Sequence, residues 1–220
     1  MKRLRNRREA GLLLAQALDA HKFEPNLMVL GLPRGGVPVA YEIGVAFRAS
    51  LDVFLVRKLG VPNHEELAMG AIASSGTRVL NHAVIDALEI PMTVVDQITA
   101  KETVEIQRRE AVYRKGRSPL NVEGRTVLLV DDGLATGSTM LAALRSLRVQ
   151  RPRKIIAAVP ISPPSACKEV KAEADEMICL LTPEPFWGVG QWYDDFSQTS
   201  DDEVVQLLKN SQRLQESQAI

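Results

Sequence analysis

VLLVDDGLATGST, residues 127–139, reads as a buried strand that runs through a short polar loop into a helix. Four apolar residues, Val127–Val130, precede the aspartates Asp131 and Asp132, and the loop Gly133–Ser138 follows. Over Thr139–Val149 the apolar positions Met140, Leu141, Leu144 and Leu147 recur at helical spacing. An unbroken apolar run next to a helix is the pattern of a parallel strand covered on both faces.

The same alternation extends outward in both directions. Leu27–Leu32, Leu51–Lys58, Lys154–Val159 and Met177–Leu181 are further strand candidates. Helical patterns occupy Val37–Phe47, Thr93–Arg114 and Ala166–Ala174. Gly60–Met69 is polar, contains Pro62 and shows neither period, so it reads as a long loop. Ala71–Ala73 and Thr77–Asn81 suggest a short hairpin turning at Ser75-Gly76. Ser200-x-x-Glu203 caps a last helix, and the polar tail beyond Ser211 is expected to fray. The expected fold is α/β, a Rossmann-like parallel sheet flanked by helices, in a single domain spanning residues 1–220.

Composition narrows the function classes. The 220 residues carry a formal net charge of +0, 45% hydrophobic and 25% charged residues, so no bulk field points to nucleic acid or an anionic membrane. An anionic substrate would need a local site. Cys167 and Cys179 have no metal-type spacing and are too few for a disulfide framework, which favours reduced thiols and a cytoplasmic protein. Basic residues from Lys2 to Arg8 precede Leu12-Leu13-Leu14, superficially like a leader. Asn6-x-x-Glu9 instead reads as a capping box opening an amphipathic helix. No apolar run reaches the ~20 residues of a membrane span.

The chemistry follows from the parts of residues 127–139. Backbone N–H groups at a loop and helix N-terminus, with the hydroxyls of Thr136, Ser138 and Thr139, form a cup for phosphate. Gly137 permits close backbone approach. Asp131 and Asp132 cannot bind phosphate; they suit vicinal ribose hydroxyls or the water shell of a hard cation. Together these describe a ribose phosphate. A second strand-to-helix turn, Pro33-Arg34-Gly35-Gly36, offers a planar guanidinium and glycine amides to another anion, although glycines also serve simple turns.

The ordered string of apolar strand, acidic pair, short loop and Thr-Gly-Ser-Thr resembles the phosphoribosyl pyrophosphate (PRPP) motif of type I phosphoribosyltransferases. That resemblance implies that Asp131 and Asp132 hold the ribose hydroxyls and Ala135, Thr136, Gly137, Ser138 and Thr139 the 5′-phosphate. It implies that Arg34, Gly35, Gly36, Arg57 and Lys58 bind pyrophosphate, the last two beside a mobile loop that closes over the donor. The Arg57-Lys58 pair is similar to the adenine branch; His64, Glu65 and Glu66 in that loop receive no catalytic role. Ser138 departs from the more common glycine. Catalysis in such a family rests on Asp131, Asp132 and Arg34 together with Mg²⁺, held through PRPP and waters rather than by direct protein ligands.

The acceptor is less legible. Hypoxanthine-type relatives carry an aspartate where this chain has Ala135, which counts against that specificity. The family's acceptor site lies under a hood of terminal segments, here residues 1–23 and 182–200, over a core of 24–181 with a C-terminal helix over 201–213. Phe186, Trp187, Trp192 and Tyr193 are the acceptor-hood candidates; with Phe196 they make five of the chain's ten aromatics (Trp 2, Tyr 3, Phe 5). They could equally cover the core edge or an oligomer interface. The strings PRGG, VRKLG, ELAMGAI and FWGVGQWYDDF resemble a bacterial group of small phosphoribosyltransferases without an assigned base. The implied partners are PRPP and a small-molecule acceptor, in a homo-oligomer such as a dimer, with neither nucleic acid nor membrane. The competing expectation is a PRPP-sensing regulator without transferase activity.

Overall fold

The computed structural model describes residues 3–218, excluding the side chains of Glu65, Glu66 and Gln218. Lys2 of the basic N-terminal cluster, and the carboxylates of Glu65 and Glu66, thus lie outside the described set. Strands β1 (Leu27–Gly31), β2 (Ser50–Val53), β6 (Thr126–Val130), β7 (Lys154–Ile161) and β8 (Glu176–Leu181) form a parallel sheet in the order β2-β1-β6-β7-β8. Their side chains alternate between two cores as strand geometry requires. Val29, Leu128, Val130, Ile156 and Ala158 face one way, and Met28, Leu30, Val127, Leu129, Ile155 and Ala157 the other. The first face is covered by α1 (Arg7–Ala17), α2 (Gly36–Phe47) and α7 (Asp201–Gln218), the second by α5 (Ser138–Val149) and α6 (Pro164–Glu173). A parallel α/β sheet flanked by helices is therefore the architecture. No helix among the described residues is long and apolar enough to cross a membrane.

The structure revises four local expectations. LDVFLVRK is not one strand: Phe54 and Leu55 are buried at a crossing between sheets, so the apolar run continues although β2 has ended. Its second half starts β3 (Val56–Val61), which pairs antiparallel with β4 (His64–Ala73), and β4 pairs with β5 (Arg78–Leu80). Gly60–Met69 is consequently a β-hairpin, with register shifts around Gly60 that blur its two-residue period. This small sheet stands on α5 and on α4 (Met92–Tyr113), past the one-turn-and-a-half helix α3 (His82–Ala87).

The third revision concerns the C-terminus. α7 continues through Gln218, because Val204, Leu208 and Ser211 lie buried on one stripe and Gln215 Nε2 donates to the Ala49 carbonyl at 2.8 Å. Its predicted cap holds: Ser200 Oγ accepts from the Glu203 amide at 3.1 Å. Fourth, Cys167 of α6 and Cys179 of β8 form a disulfide rather than two separate reduced thiols. A short connection from helix to adjacent strand brings these residues side by side, with Cα atoms 6.9 Å apart.

α1 begins as its sequence implies. Asn6 Oδ1 accepts from the Glu9 amide at 3.0 Å. The Glu9 carboxylate turns outward to the Arg5 amide at 2.6 Å rather than to the amide of Asn6 itself. Residues 4–5 then run beside 192–195: Leu4 N–H donates to the Trp192 carbonyl, and the Asp194 and Asp195 amides donate to Leu4 and Arg5. Residues 4–5 and 192–195 thus meet next to Asp132, at the carboxyl end of β6.

Candidate functional site

Every strand of the parallel sheet points its carboxyl end toward this junction, the place where open α/β sheets bind ligands. Asp131 and Asp132 extend directly from β6. Leu134 N–H donates to the Ile161 carbonyl at 2.9 Å, which anchors the loop to β7 and leaves Ala135, Thr136 and Thr139 exposed. Gly137 takes the left-handed conformation (φ 77°) as the cap of α5, and a Cβ there would touch Ala166 and Val170 of α6 at 3.5 Å. The Thr136 and Ser138 hydroxyls lie 2.9 Å apart, both at the helix N-terminus. Two hydroxyls and the positive end of α5 thus meet beside the exposed residues Ala135, Thr136 and Thr139, an arrangement whose chemistry suits an anion.

The Arg34 turn lies against the acidic pair. A Cβ on Gly35 would fall 2.6 Å from Asp132 Cγ, and one on Gly36 would fall 2.9 Å from Asp131 Cα and 2.7 Å from the Val130 carbonyl. These glycines are therefore required by the approach of α2 to the aspartates, a role beyond offering amides to an anion. The Gly36 and Val37 amides are in fact engaged within the turn, on Leu32 and Arg34 carbonyls at 3.0 and 3.2 Å. The Pro33–Arg34 peptide is cis. The Arg34 guanidinium is partly exposed, 3.6 Å from Asp201 at the start of α7. Asp201 also accepts from Tyr113 Oη at 2.5 Å; burial, together with that hydrogen bond, pushes the Tyr113 phenol up to about 12.

Asp132 has a partner that the sequence did not disclose. Arg7 Nε donates to Asp132 Oδ2 at 2.7 Å, Arg7 Nη1 donates to the Ser197 carbonyl at 2.7 Å, and the guanidinium sits 4.0 Å from the Phe196 ring centroid. Phe196 stacks on Tyr193 at 5.0 Å, and Tyr193 Oη donates to the Asp132 carbonyl at 2.7 Å. Burial and the adjacent Asp132 charge hold the Asp131 carboxyl well above the usual carboxylate range. Burial raises Asp132 as well, against the opposing pull of Arg7. In the sequence Arg7 is one member of a basic cluster; only its place as first residue after the Asn6 cap hints that its orientation is fixed.

The remaining candidates divide. Arg57 Nε donates to Glu102 of α4 at 2.6 Å, and Arg57 lines a small cavity with Pro33, Arg109 and Thr139, between the turn after β1 and the start of α5. Arg109, not singled out in the sequence, thereby joins the basic groups at that gap, itself held by Glu105 at 2.7 Å. Lys58 follows Arg57 in a strand, so its side chain leaves from the opposite face of the small sheet. Among the hood aromatics, Tyr193 is 1% exposed and acts as a strut beneath Asp132, whereas Trp187 is 85% exposed. Phe186 and Trp192 pack against the first core, and Trp192 Nε1 is buried without a hydrogen-bond partner. A Cβ on Gly133 would strike Val189 and Ile161, so the hood segment sits directly on the loop after the acidic pair. No cluster of three or more His, Cys, Asp or Glu side chains suited to a metal ion occurs among the described residues.

Comparison with known proteins adds an independent line. Residues 63–196 match the family model of the phosphoribosyl transferase domain, a span that contains Asp131, Asp132 and the loop that follows them but begins after Arg34. A protein of Mycobacterium tuberculosis H37Rv, provisionally named a phosphoribosyl transferase, is 46% identical over 213 residues, 97% of this chain and 48% of the relative. The chain thus spans about half the length of curated relatives that it matches over 97% of its own. The bifunctional protein PyrR of Chloroflexus aurantiacus is 34% identical over 131 residues, 58% of this chain and 66% of that protein. The crystal structure of TT1426 from Thermus thermophilus is 39% identical and superposes with a TM-score of 0.87, covering 94% of this chain and 98% of that one.

Proposed function

This chain belongs to the phosphoribosyl transferase domain family, and we propose that it transfers ribose 5-phosphate from PRPP to a nitrogenous acceptor, releasing pyrophosphate. The observation that carries this reading is the contact of the Gly35-Gly36 turn with Asp131 and Asp132. Through it, a diol-binding acidic pair, a phosphate cup and a guanidinium share one end of one sheet. In this reading the exposed amides and hydroxyls of residues 135–139 hold the 5′-phosphate, and Asp131 with Asp132 accepts hydrogen bonds from the ribose hydroxyls. Arg34 neutralises the pyrophosphate, with Arg57 and Arg109 near the gap between the two turns.

The acceptor nitrogen forms its bond to C1 as the C1–O bond to pyrophosphate breaks, and the electron pair departs with the pyrophosphate. Little covalent help is needed: fixing both reactants and stabilising charge on the leaving group supply most of the acceleration. Two partly buried carboxylates, with no metal-binding group of three or more His, Cys, Asp or Glu among the described residues, fit a hard cation held chiefly by the donor and water. Mg²⁺ bound in that way would supply further charge neutralisation to the leaving group. A screen of nucleobases and other heterocyclic amines with PRPP and Mg²⁺, followed by pyrophosphate release, tests the transfer. Acceptor-stimulated release is expected. PRPP binding with no stimulation by any acceptor would leave the chain a PRPP-binding regulator without transferase activity.

A further inference from the structure

At the opposite end of β6 the sheet carries a second charged cavity. Its volume is about 370 Å³, and it is formed by the amino ends of β1 and β2, the segment joining α4 to β6, and the last turns of α7. Arg125, which lines it, directly precedes β6, and Asp131 directly follows, so six residues of extended chain place the two sites roughly 20 Å apart. The cavity is distinct from the donor site and shares no residue with it.

Its lining includes three guanidiniums, Arg114, Arg117 and Arg125, and one carboxylate, Asp52. Arg114 is fully committed: it donates to both Asp52 oxygens at 3.1 Å, to Glu110 at 3.3 Å and to the Ser118 carbonyl at 2.7 Å. Arg117 donates to the Leu51 and Leu208 carbonyls at 3.2 and 2.7 Å and reaches the shared Asp52 only at 3.5 Å. Arg125 makes no side-chain hydrogen bond or ion pair among the described residues. Among the groups that line the cavity three cations thus face one anion, while Glu110 on Arg114 and Glu216 on Gln212 each stand one contact further out. Gln212 on the α7 side contributes an amide held by Glu216 at 3.0 Å. Ser50 also lines the cavity, and its hydroxyl is buried with no hydrogen-bond partner.

An uncompensated guanidinium, a second one satisfied mainly by backbone carbonyls and an orphaned hydroxyl are complementary to one kind of ligand group. It is a compact oxyanion that takes charge-assisted bonds from guanidinium and a hydrogen bond from a hydroxyl. We infer that this cavity is a second anion site, which binds the phosphate group of a small phosphate-bearing molecule independently of the donor site. The volume admits more than the phosphate itself. Arg114 and Asp52 build the wall, Arg125 contacts the ligand, Arg117 supplies further charge, and the Ser50 hydroxyl, shielded in its present rotamer, reaches the ligand by turning about χ1.

The test is a ¹⁵N–¹H NMR titration of the whole chain with inorganic pyrophosphate. Two groups of amides should shift: one around residues 133–139, the other around Ser50, Arg117 and Arg125. Arg125→Ala, which breaks no side-chain hydrogen bond or ion pair of the fold, should weaken the second response by roughly tenfold while leaving the first unchanged. Ser50→Ala should weaken it too, without loss of thermal stability, because it removes an unsatisfied hydroxyl. Arg34→Ala should alter only the response around the donor loop. An absence of shifts at the second group, or an unchanged response in Arg125→Ala, would overturn the assignment. So would shifts there that follow protein concentration without pyrophosphate, since they would identify a second copy of the chain as the occupant.

Discussion

Arg7 Nε donates to Asp132 Oδ2 at 2.7 Å across 125 residues of sequence. That bond ties the start of α1, and through it the hood, to the acidic pair at the end of β6. The two side chains are only 12% and 15% exposed, so removal of either leaves an uncompensated charge in a poorly solvated place. Arg7→Ala should therefore lower stability by about 2–4 kcal/mol in denaturant titrations. A cycle with Asp132→Asn should show non-additivity of about 1 kcal/mol or more. Simple additivity would mean the contact does not couple hood to core.

Gly35 caps α2 and Gly44 lies within it, and the two make opposite predictions. A Cβ on Gly35 meets Asp132 Cγ at 2.6 Å, whereas one on Gly44 meets Ala49 and Leu51 at an ordinary 3.6 Å. Gly35→Ala should displace the Asp132 carboxylate, reduce PRPP affinity more than roughly tenfold and destabilise by about 1–3 kcal/mol. Gly44→Ala should leave binding intact and stabilise by up to about 1 kcal/mol, since alanine is the better helix former. Equal behaviour of the two variants in calorimetry and melting would remove the steric argument.

The raised Asp131 carboxyl makes stability depend on pH. Folding holds this proton more tightly than the unfolded chain does, because burial and the Asp132 charge oppose ionisation. The contribution to stability is thus present at acidic pH and is lost as pH rises through the folded-state value. Asp131→Asn, which cannot ionise, should melt above the wild type near about pH 8, with the difference shrinking toward about pH 4. Thermal melts across that range check the sign; a pH-independent difference would contradict it.

Much of the fold was legible because parallel strands buried on both faces leave continuous apolar runs, as in Val127–Val130 and Lys154–Ile161. The strand-loop-helix unit of β6 and α5 was legible because its residues are contiguous. LDVFLVRK misled because Phe54 and Leu55 stay buried while the chain changes sheets. Gly60–Met69 misled because register shifts interrupt the alternation that marks a hairpin. Arg7 on Asp132, Tyr193 beneath it and the Cys167–Cys179 bond depend on three-dimensional juxtaposition, for which no local pattern exists. Family resemblance singled out the turns after β1 and β6 but not the mutual contact of Gly35 and Asp132, which brings them together at one end of the sheet.

Arg34 is partly exposed and its 3.6 Å pairing with Asp201 contributes little to stability. Arg34→Ala should leave the fold intact and weaken PRPP and pyrophosphate by roughly ten- to a hundredfold, through loss of charge-assisted bonds to the diphosphate. Ribose 5-phosphate, which has no such group, should bind as before. Comparable losses for all three ligands would remove Arg34 from the pyrophosphate position.

The most direct test of the account is calorimetric titration of PRPP into the wild type and into the Asp131→Asn, Asp132→Asn double variant, with melting curves alongside. The account predicts saturable binding by the wild type and none by the variant, whose cooperative unfolding is retained. PRPP binding of unchanged affinity in the folded variant would contradict the assignment of the acidic pair to the donor's ribose.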